Sequence, residues 1–165
     1  MTGSDAELVR QARGGDTLAM AELLDRLAPY VARICGPIAL SSGADAAQET
    51  LIAVFRGLRG LSQPEALRGW VRAIAVREAV RIARRDRAGV PADLTELPDR
   101  GDPQLAADVR DVLRRLSPEH RAILVLRDIE GLDERTVASY LDAPLGTVKS
   151  RLARARASFR KAWSS

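Results

Sequence analysis

The sequence predicts an all-α fold, two small helical domains joined by a flexible linker, and three observations predict it. The 165 residues are 46 % hydrophobic but only 4 % aromatic, so the core must be aliphatic, built from Leu, Val, Ile and Ala. Good helix formers dominate, and no segment sustains the alternation of a half-buried strand. A stretch rich in proline, glycine and acid, 86–103, interrupts the helical pattern and leaves domains at 1–85 and 104–165.

From Asp5 to about Arg85 the chain reads as a series of amphipathic helices. Asp16 is a natural N-cap for a helix whose Ala19, Leu23, Leu24 and Leu27 share one apolar face. Pro29 either bends that helix or starts another through Tyr30 and Ile34. Ser41, Ser42 and Gly43 form a break, and a second helix follows with Leu51, Val54, Phe55 and Leu58 on one side. Pro64 in LSQPEA suits a first helical turn, and the helix it opens grows basic toward Arg85.

The linker carries Asp86, Asp93, Glu96, Asp99 and Asp102 against Arg87 and Arg100, a charge inversion between two basic domains. Stretched out it would reach ~60 Å; it is either a plain solvated tether or a working segment. Beyond it, Ser117, Pro118 and Glu119 make a helix start, Gly131 a stop and Asp133 the next N-cap. The helix ERTVASYL ends near Asp142. In DAPLG the chain turns, with Gly146 allowing the bend and Thr147 able to cap the last helix.

A short helix, a brief turn and a longer basic helix form a helix-turn-helix, whose second helix enters the major groove. Ala138 is small, as close helix approach requires. Val148, Leu152, Ala155 and Phe159 fall in a narrow arc and pack inward, so Ser150, Ala153, Arg154 and Lys161 point away. Lys149, Arg156 and Arg160 take one flank and Arg151 the other. A merely solvated helix would intersperse Glu among these cations, yet no acidic residue follows Asp142.

Net charge is +4 and the isoelectric point about 10.0, which favours an anionic partner. Of the cations only Lys149 and Lys161 are lysine. Arginine suits bidentate contact with phosphate or guanine, although the codon usage of a GC-rich genome explains the same excess. The lone Cys35 excludes an internal disulfide framework and a multi-cysteine zinc site, and its setting in YVARICGPI marks a core thiol. His120 has no partner motif and takes no catalytic role. With no Gly-rich phosphate loop, no metal-ligand cluster and no nucleophile motif, an enzyme, a metal and a cofactor are not expected. MTGSDAELVR lacks a signal-peptide layout, and no apolar run reaches the ~20 residues that span a bilayer. A cytoplasmic protein without membrane insertion is expected.

PLGTVKSRLARAR, preceded by LRDIEGLDERTVASYLDA, closely resembles the C-terminal DNA-binding domain of bacterial sigma factors of the extracytoplasmic-function type, within the sigma-70 family. DAAQETLIAVFRGL and LRGWVRAIAVREAVRIARR resemble that family's other domain, in the correct order, so the likeness runs from about Glu7 to Trp163. It implies a factor that binds core RNA polymerase, directs it to promoter DNA, and is commonly held inactive by an anti-sigma partner.

The resemblance assigns roles residue by residue. Asp45, Gln48 and Glu49, with Phe55 and Arg56, match the segment that docks on the polymerase clamp coiled coil. The stretch from Gly60 to Gly69 with Trp70 matches the loop and helix that capture flipped bases of the downstream element. Arg68, Arg72, Arg77, Arg81 and Arg84 would bind that strand's phosphates, and Trp70 is either a stacking platform or a core anchor. Ser150, Ala153 and Arg154 match base-facing positions for the upstream element, and Arg127, Lys149 and Arg151 match phosphate contacts. Thr147 and the flanking Arg156 complete that set. Arg77 stands where the family often has Asn, Arg81 where it is often neutral or acidic, and Ala44 and Ala47 where it is frequently acidic or bulky. The competing class is a stand-alone helix-turn-helix repressor or activator, which would need a dimerisation or ligand domain where this chain carries DAAQET and the Trp70 helix.

Overall fold

The computed structural model describes residues 3–87 and 103–165. Among them no strand occurs and eight α-helices are found. In the N-terminal half, α1 (Asp5–Arg13) lies across α2 (Thr17–Ala39), which forms a bundle with α3 (Gly43–Gly57) and α4 (Leu67–Arg87). Local chemistry fixes the helix starts. Ser4 Oγ accepts the Glu7 amide at 3.2 Å, and Asp16 Oδ1 accepts those of Leu18 and Ala19 at 3.1 Å. Gly15, at φ +99°, makes the tight reversal between α1 and α2.

Pro29 neither ends α2 nor starts a new helix: α2 runs unbroken through Pro29 and Pro37. The lost amide donors are offset by burial of Leu27, Tyr30, Val31, Ile34 and Ile38, which hold the segment against α3 and α4. Cys35 is fully buried, as expected, with its Sγ 3.8 Å from Thr50 Oγ1. The two helices nearly touch at glycines: a Cβ on Gly43 would stand 3.1 Å from the Gly36 Cα.

The C-terminal half holds α5 (Pro103–Arg114), α6 (Pro118–Leu124) with a π-helical turn after it (Val125–Ile129), α7 (Glu134–Leu141) and α8 (Leu145–Trp163). Ser117 and Asp133 cap α6 and α7 as predicted, accepting the amides of His120 and Thr136. The reversal before α8 departs from prediction. Asp142 supplies the left-handed residue, at φ 50°, whereas Gly146 lies inside α8. Pro144 occupies the N-cap, so Thr147 is a first-turn residue and not the cap. Val148, Leu152 and Ala155 are buried, but Phe159 is half-buried and stacks on Trp163, with ring centroids 6.2 Å apart.

Of the predicted linker, Asp86 and Arg87 belong to α4 and Pro103 opens α5; residues 88–102 lie outside the described residues. The two halves touch and share one aliphatic core, with α6 against both α2 and α4 and α7 against α4.

Candidate nucleic-acid interface

On α8 the buried edge decides what faces outward. With Val148, Leu152 and Ala155 sealed against α6 and α7, Ser150, Ala153 and Arg154 stand exposed along the opposite side. Lys149 is exposed on one flank and Arg151 half-exposed on the other. Lys149, Arg151 and Arg154 form no ion pair among the described residues. Arg156 differs: its guanidinium forks onto Asp128, with Nη2 to Oδ1 at 2.5 Å and Nε to Oδ2 at 3.2 Å. Arg127 lies in the π-helical turn, half-buried, and its Nε has no hydrogen-bond partner among the described residues. It is only partly available to a phosphate. Thr147 is half-buried.

His120 on α6 faces this surface. Burial pushes its pKa below the usual histidine value of 6.5; Glu119 opposes that shift, and the cations of Arg154 and Arg151 reinforce it. The imidazole therefore adds no charge to the patch near neutral pH.

On α4 the predicted strand-binding arginines are mostly engaged. Arg68 lies over the Tyr30 ring, 4.6 Å from its centroid. Arg72 donates to Tyr30 Oη at 2.9 Å and pairs with Glu130 at 3.4 Å, and its side chain is only 16 % exposed. Arg81 pairs with Glu78 one turn back, and Arg84 pairs with Glu119 of α6. Arg77 is exposed without an ion pair among the described residues. Trp70 is half-buried against the end of α3, where Gly57 makes room: a Cβ there would meet Trp70 Cζ2 at 3.1 Å.

The third surface is α3. Asp45, Gln48, Glu49, Phe55 and Arg56 are all exposed, and at the helical period they fall within an arc of about 120°. Ala46, Thr50 and Val54 are buried opposite them. Phe55, 56 % exposed, is the apolar point of this stripe. Between α3 and α4 runs an open groove of about 440 Å³, bordered by Glu49, Ile52, Arg56, Glu78 and Arg81. The structure thus assembles the five predicted docking residues on one face.

Sequence reasoning missed Arg121. Its side chain is buried at the junction of the halves, where Nε donates to Ile38 O at 2.8 Å and Nη1 to Leu113 O and Leu116 O at 3.2 and 2.5 Å. A signal existed. Arg121 sits one turn from Pro118 and Val125 on the apolar side of α6, where a solvated arginine has no place.

Among the described residues, no group of three or more His, Cys, Asp or Glu side chains is placed to hold a metal ion, and no helix is long and apolar enough to cross a membrane.

A small helix packed under a long, outward-facing basic helix defines a nucleic-acid-binding protein of the helix-turn-helix class. The family model for sigma-70, region 4, matches residues 106–159. Among curated relatives, the ECF RNA polymerase sigma factor SigM of Mycobacterium tuberculosis is 32 % identical over 160 residues, covering 93 % of this chain and 82 % of its own length. SigE of Mycolicibacterium smegmatis is 35 % identical over 128 residues, which span 70 % of this chain and 49 % of that protein. RNA polymerase sigma-H factor of Pseudomonas aeruginosa is 29 % identical, with 96 % and 93 % of the two chains covered. Two solved structures share the fold. One is CnrH in complex with the cytosolic domain of CnrY, at TM-score 0.66 and 24 % identity over 95 % of each chain. The other is the sigma factor RpoE with the anti-sigma factor NepR from Bartonella quintana, at TM-score 0.69 and 18 % identity, covering 87 % of this chain and 96 % of that one.

The chain belongs to the extracytoplasmic-function sigma factors of the sigma-70 family and is an RNA polymerase sigma factor. Because relatives align across both halves, the reading as a stand-alone regulator gives way.

Proposed function

We propose a division of labour along the chain, with 1–85 and 104–165 as its two working units. The exposed stripe of α3 docks on core polymerase: Asp45, Gln48 and Glu49 meet basic side chains, Phe55 supplies apolar area and Arg56 closes the stripe. The α4 unit, from Arg68 to Arg84 with Trp70, holds the separated strand of the downstream element. The α8 unit reads the upstream element in duplex form. Ser150, Ala153 and Arg154 reach base edges, while Lys149 and Arg151, with Arg127, Thr147 and Arg156 around them, meet phosphates. The factor carries out no chemistry of its own and works in the cytoplasm. An anti-sigma protein restrains it, as NepR binds RpoE of Bartonella quintana.

The observation that carries this reading is the orientation of α8: an aliphatic edge in the core and Arg154 outward, with no acidic residue on the helix. An inward Arg154 would leave no reader. Run-off transcription with core polymerase over a genomic fragment library tests it. Promoter-specific transcripts that depend on the factor are expected; output equal to core polymerase alone would defeat the reading.

A further inference from the structure

We propose that Arg33 of α2, with Arg68 and Arg72 of α4, forms a second phosphate-binding site around Tyr30 that takes a backbone phosphate of promoter DNA. It lies on the opposite side of α4 from Trp70, Arg77, Arg81 and Arg84. The proposal rests on the reading of α4 as a nucleic-acid-binding helix, and it adds Arg33, a residue that the family resemblance does not mark.

Helical geometry divides the cations of α4. At the helical period Trp70, Arg77, Arg81 and Arg84 fall within an arc of about 60°. Arg68 and Arg72 lie about 170° around the helix from the middle of that arc. The contacts agree. Arg77, Arg81 and Arg84 are exposed, whereas Arg68 and Arg72 turn toward α2 and meet Tyr30. A strand laid along one side of α4 does not reach the other, so Arg68 and Arg72 need a ligand of their own.

Tyr30 gathers three guanidinium groups. Arg68 Cζ stands 4.6 Å and Arg33 Cζ 6.0 Å from its ring centroid, and Arg72 Nε donates to its hydroxyl at 2.9 Å. Arg33 follows Tyr30 by one turn of α2, so two helices supply the cluster. Burial raises the Tyr30 hydroxyl above its ordinary value of 10.0, with the hydrogen bond from Arg72 opposing, so the tyrosine brings no negative charge. Arg72 is the anchored member. Glu130 faces it at 3.4 Å, the Tyr140 hydroxyl bonds it, and its side chain is largely buried. Arg33 and Arg68 differ: both are exposed, and neither forms an ion pair among the described residues. Attraction to a ring stabilises each cation separately but leaves the repulsion between them, which an oxyanion relieves. Two features favour phosphate. Guanidinium forks match it bidentately, and the ring already orients the tips of two long side chains, so less freedom is lost when the anion arrives. Promoter DNA is the polyanion that an RNA polymerase sigma factor meets.

The test uses core polymerase with the full chain and a labelled promoter fragment recovered by run-off transcription. Affinity is measured across a salt series for wild type, Arg33→Gln, Arg77→Gln, the double variant and Arg114→Gln, which removes an exposed cation of α5 as a control. Loss of one phosphate contact lowers the slope of log affinity against log salt by about one. Arg33→Gln and Arg77→Gln should each do so, the double variant should lower it by about two, as independent sites require, and Arg114→Gln should leave it unchanged. If circular dichroism shows that Arg33→Gln loses helicity, Arg68→Gln decides in its place. An unaltered slope in Arg33→Gln, or an equal drop in Arg114→Gln, overturns the Tyr30 site while the Arg77→Gln result stands for the outer face of α4. A drop in Arg33→Gln alone keeps the site and overturns that outer face. Unaltered slopes in both variants overturn the reading of α4 as well. A double variant no lower than either single one overturns the separation of the two faces. Titration of the free chain with inorganic triphosphate separates the sources of phosphate: binding that Arg33→Gln abolishes, with no change of slope on DNA, overturns the promoter assignment in favour of a free anion.

Discussion

Two helices, α4 and α8, carry much of the positive charge, and they use it differently. On α4, Arg72, Arg81 and Arg84 each face a carboxylate, and Arg68 lies on a tyrosine ring. On α8, Lys149, Arg151 and Arg154 have no ion pair among the described residues, and only Arg156 is tied down, by Asp128. In the sequence the two helices look alike, with arginines at helical spacing among alanines and β-branched residues. What separates them is the neighbour: α4 lies between α2, α3 and the C-terminal half, while the outward side of α8 meets solvent. A count of cations therefore measures potential contact, and the surrounding carboxylates determine how much of it is ready.

The largest effect expected from this contrast is at Arg154. Arg154→Ala should cost ~1–3 kcal/mol of discrimination between upstream sequences, measured by promoter competition, with affinity for core polymerase unchanged. Preserved promoter choice would show that the open helix is not the reader. Next comes the α3 stripe: Gln48→Ala with Glu49→Lys should weaken binding to core polymerase while duplex affinity of the full chain stays as it was. Equal loss of both would point to unfolding.

A smaller effect separates ready from engaged cations within α8. Lys149→Gln should reduce the slope of log affinity against log salt by about one, and Arg156→Gln, already neutralised by Asp128, should reduce it less. Equal changes would mean the Asp128 pair opens on DNA.

The smallest concerns His120. Its pKa is lowered in the folded chain, so the unfolded chain takes up the proton more readily. Stability should then decline as pH falls through the unfolded value near 6.5, down to the lower folded value. Melting temperatures across that window check it, and the decline should shrink in His120→Asn.

Much of this was legible from residue types. Asp16, Ser117 and Asp133 announced their helices because a short polar side chain before an apolar period has one efficient use, to cap. The inward edge of α8 followed from spacing alone, apart from Phe159, which stacks on Trp163 near the chain end. The turn before α8 misled, because Asp142 adopts a left-handed conformation that glycine was expected to supply; a short carboxyl side chain tolerates it. At Pro29 the sequence left a bend or a new helix open, and the new helix gives way: burial of neighbouring residues holds one continuous helix through the proline. The junction of the halves was least legible. Its central acceptors are backbone carbonyls, which every residue has and no sequence pattern marks.

The core around Cys35 has a practical outcome. Burial, with Glu78 adding to it and Thr50 opposing, pushes the thiol up to about 11, so at physiological pH almost none is thiolate. Buried and protonated, this chain's one sulfhydryl should react slowly with mild oxidants and maleimides while the fold stands, which thiol titration of the native chain checks. Dyes could then be attached at introduced cysteines without first removing the native one.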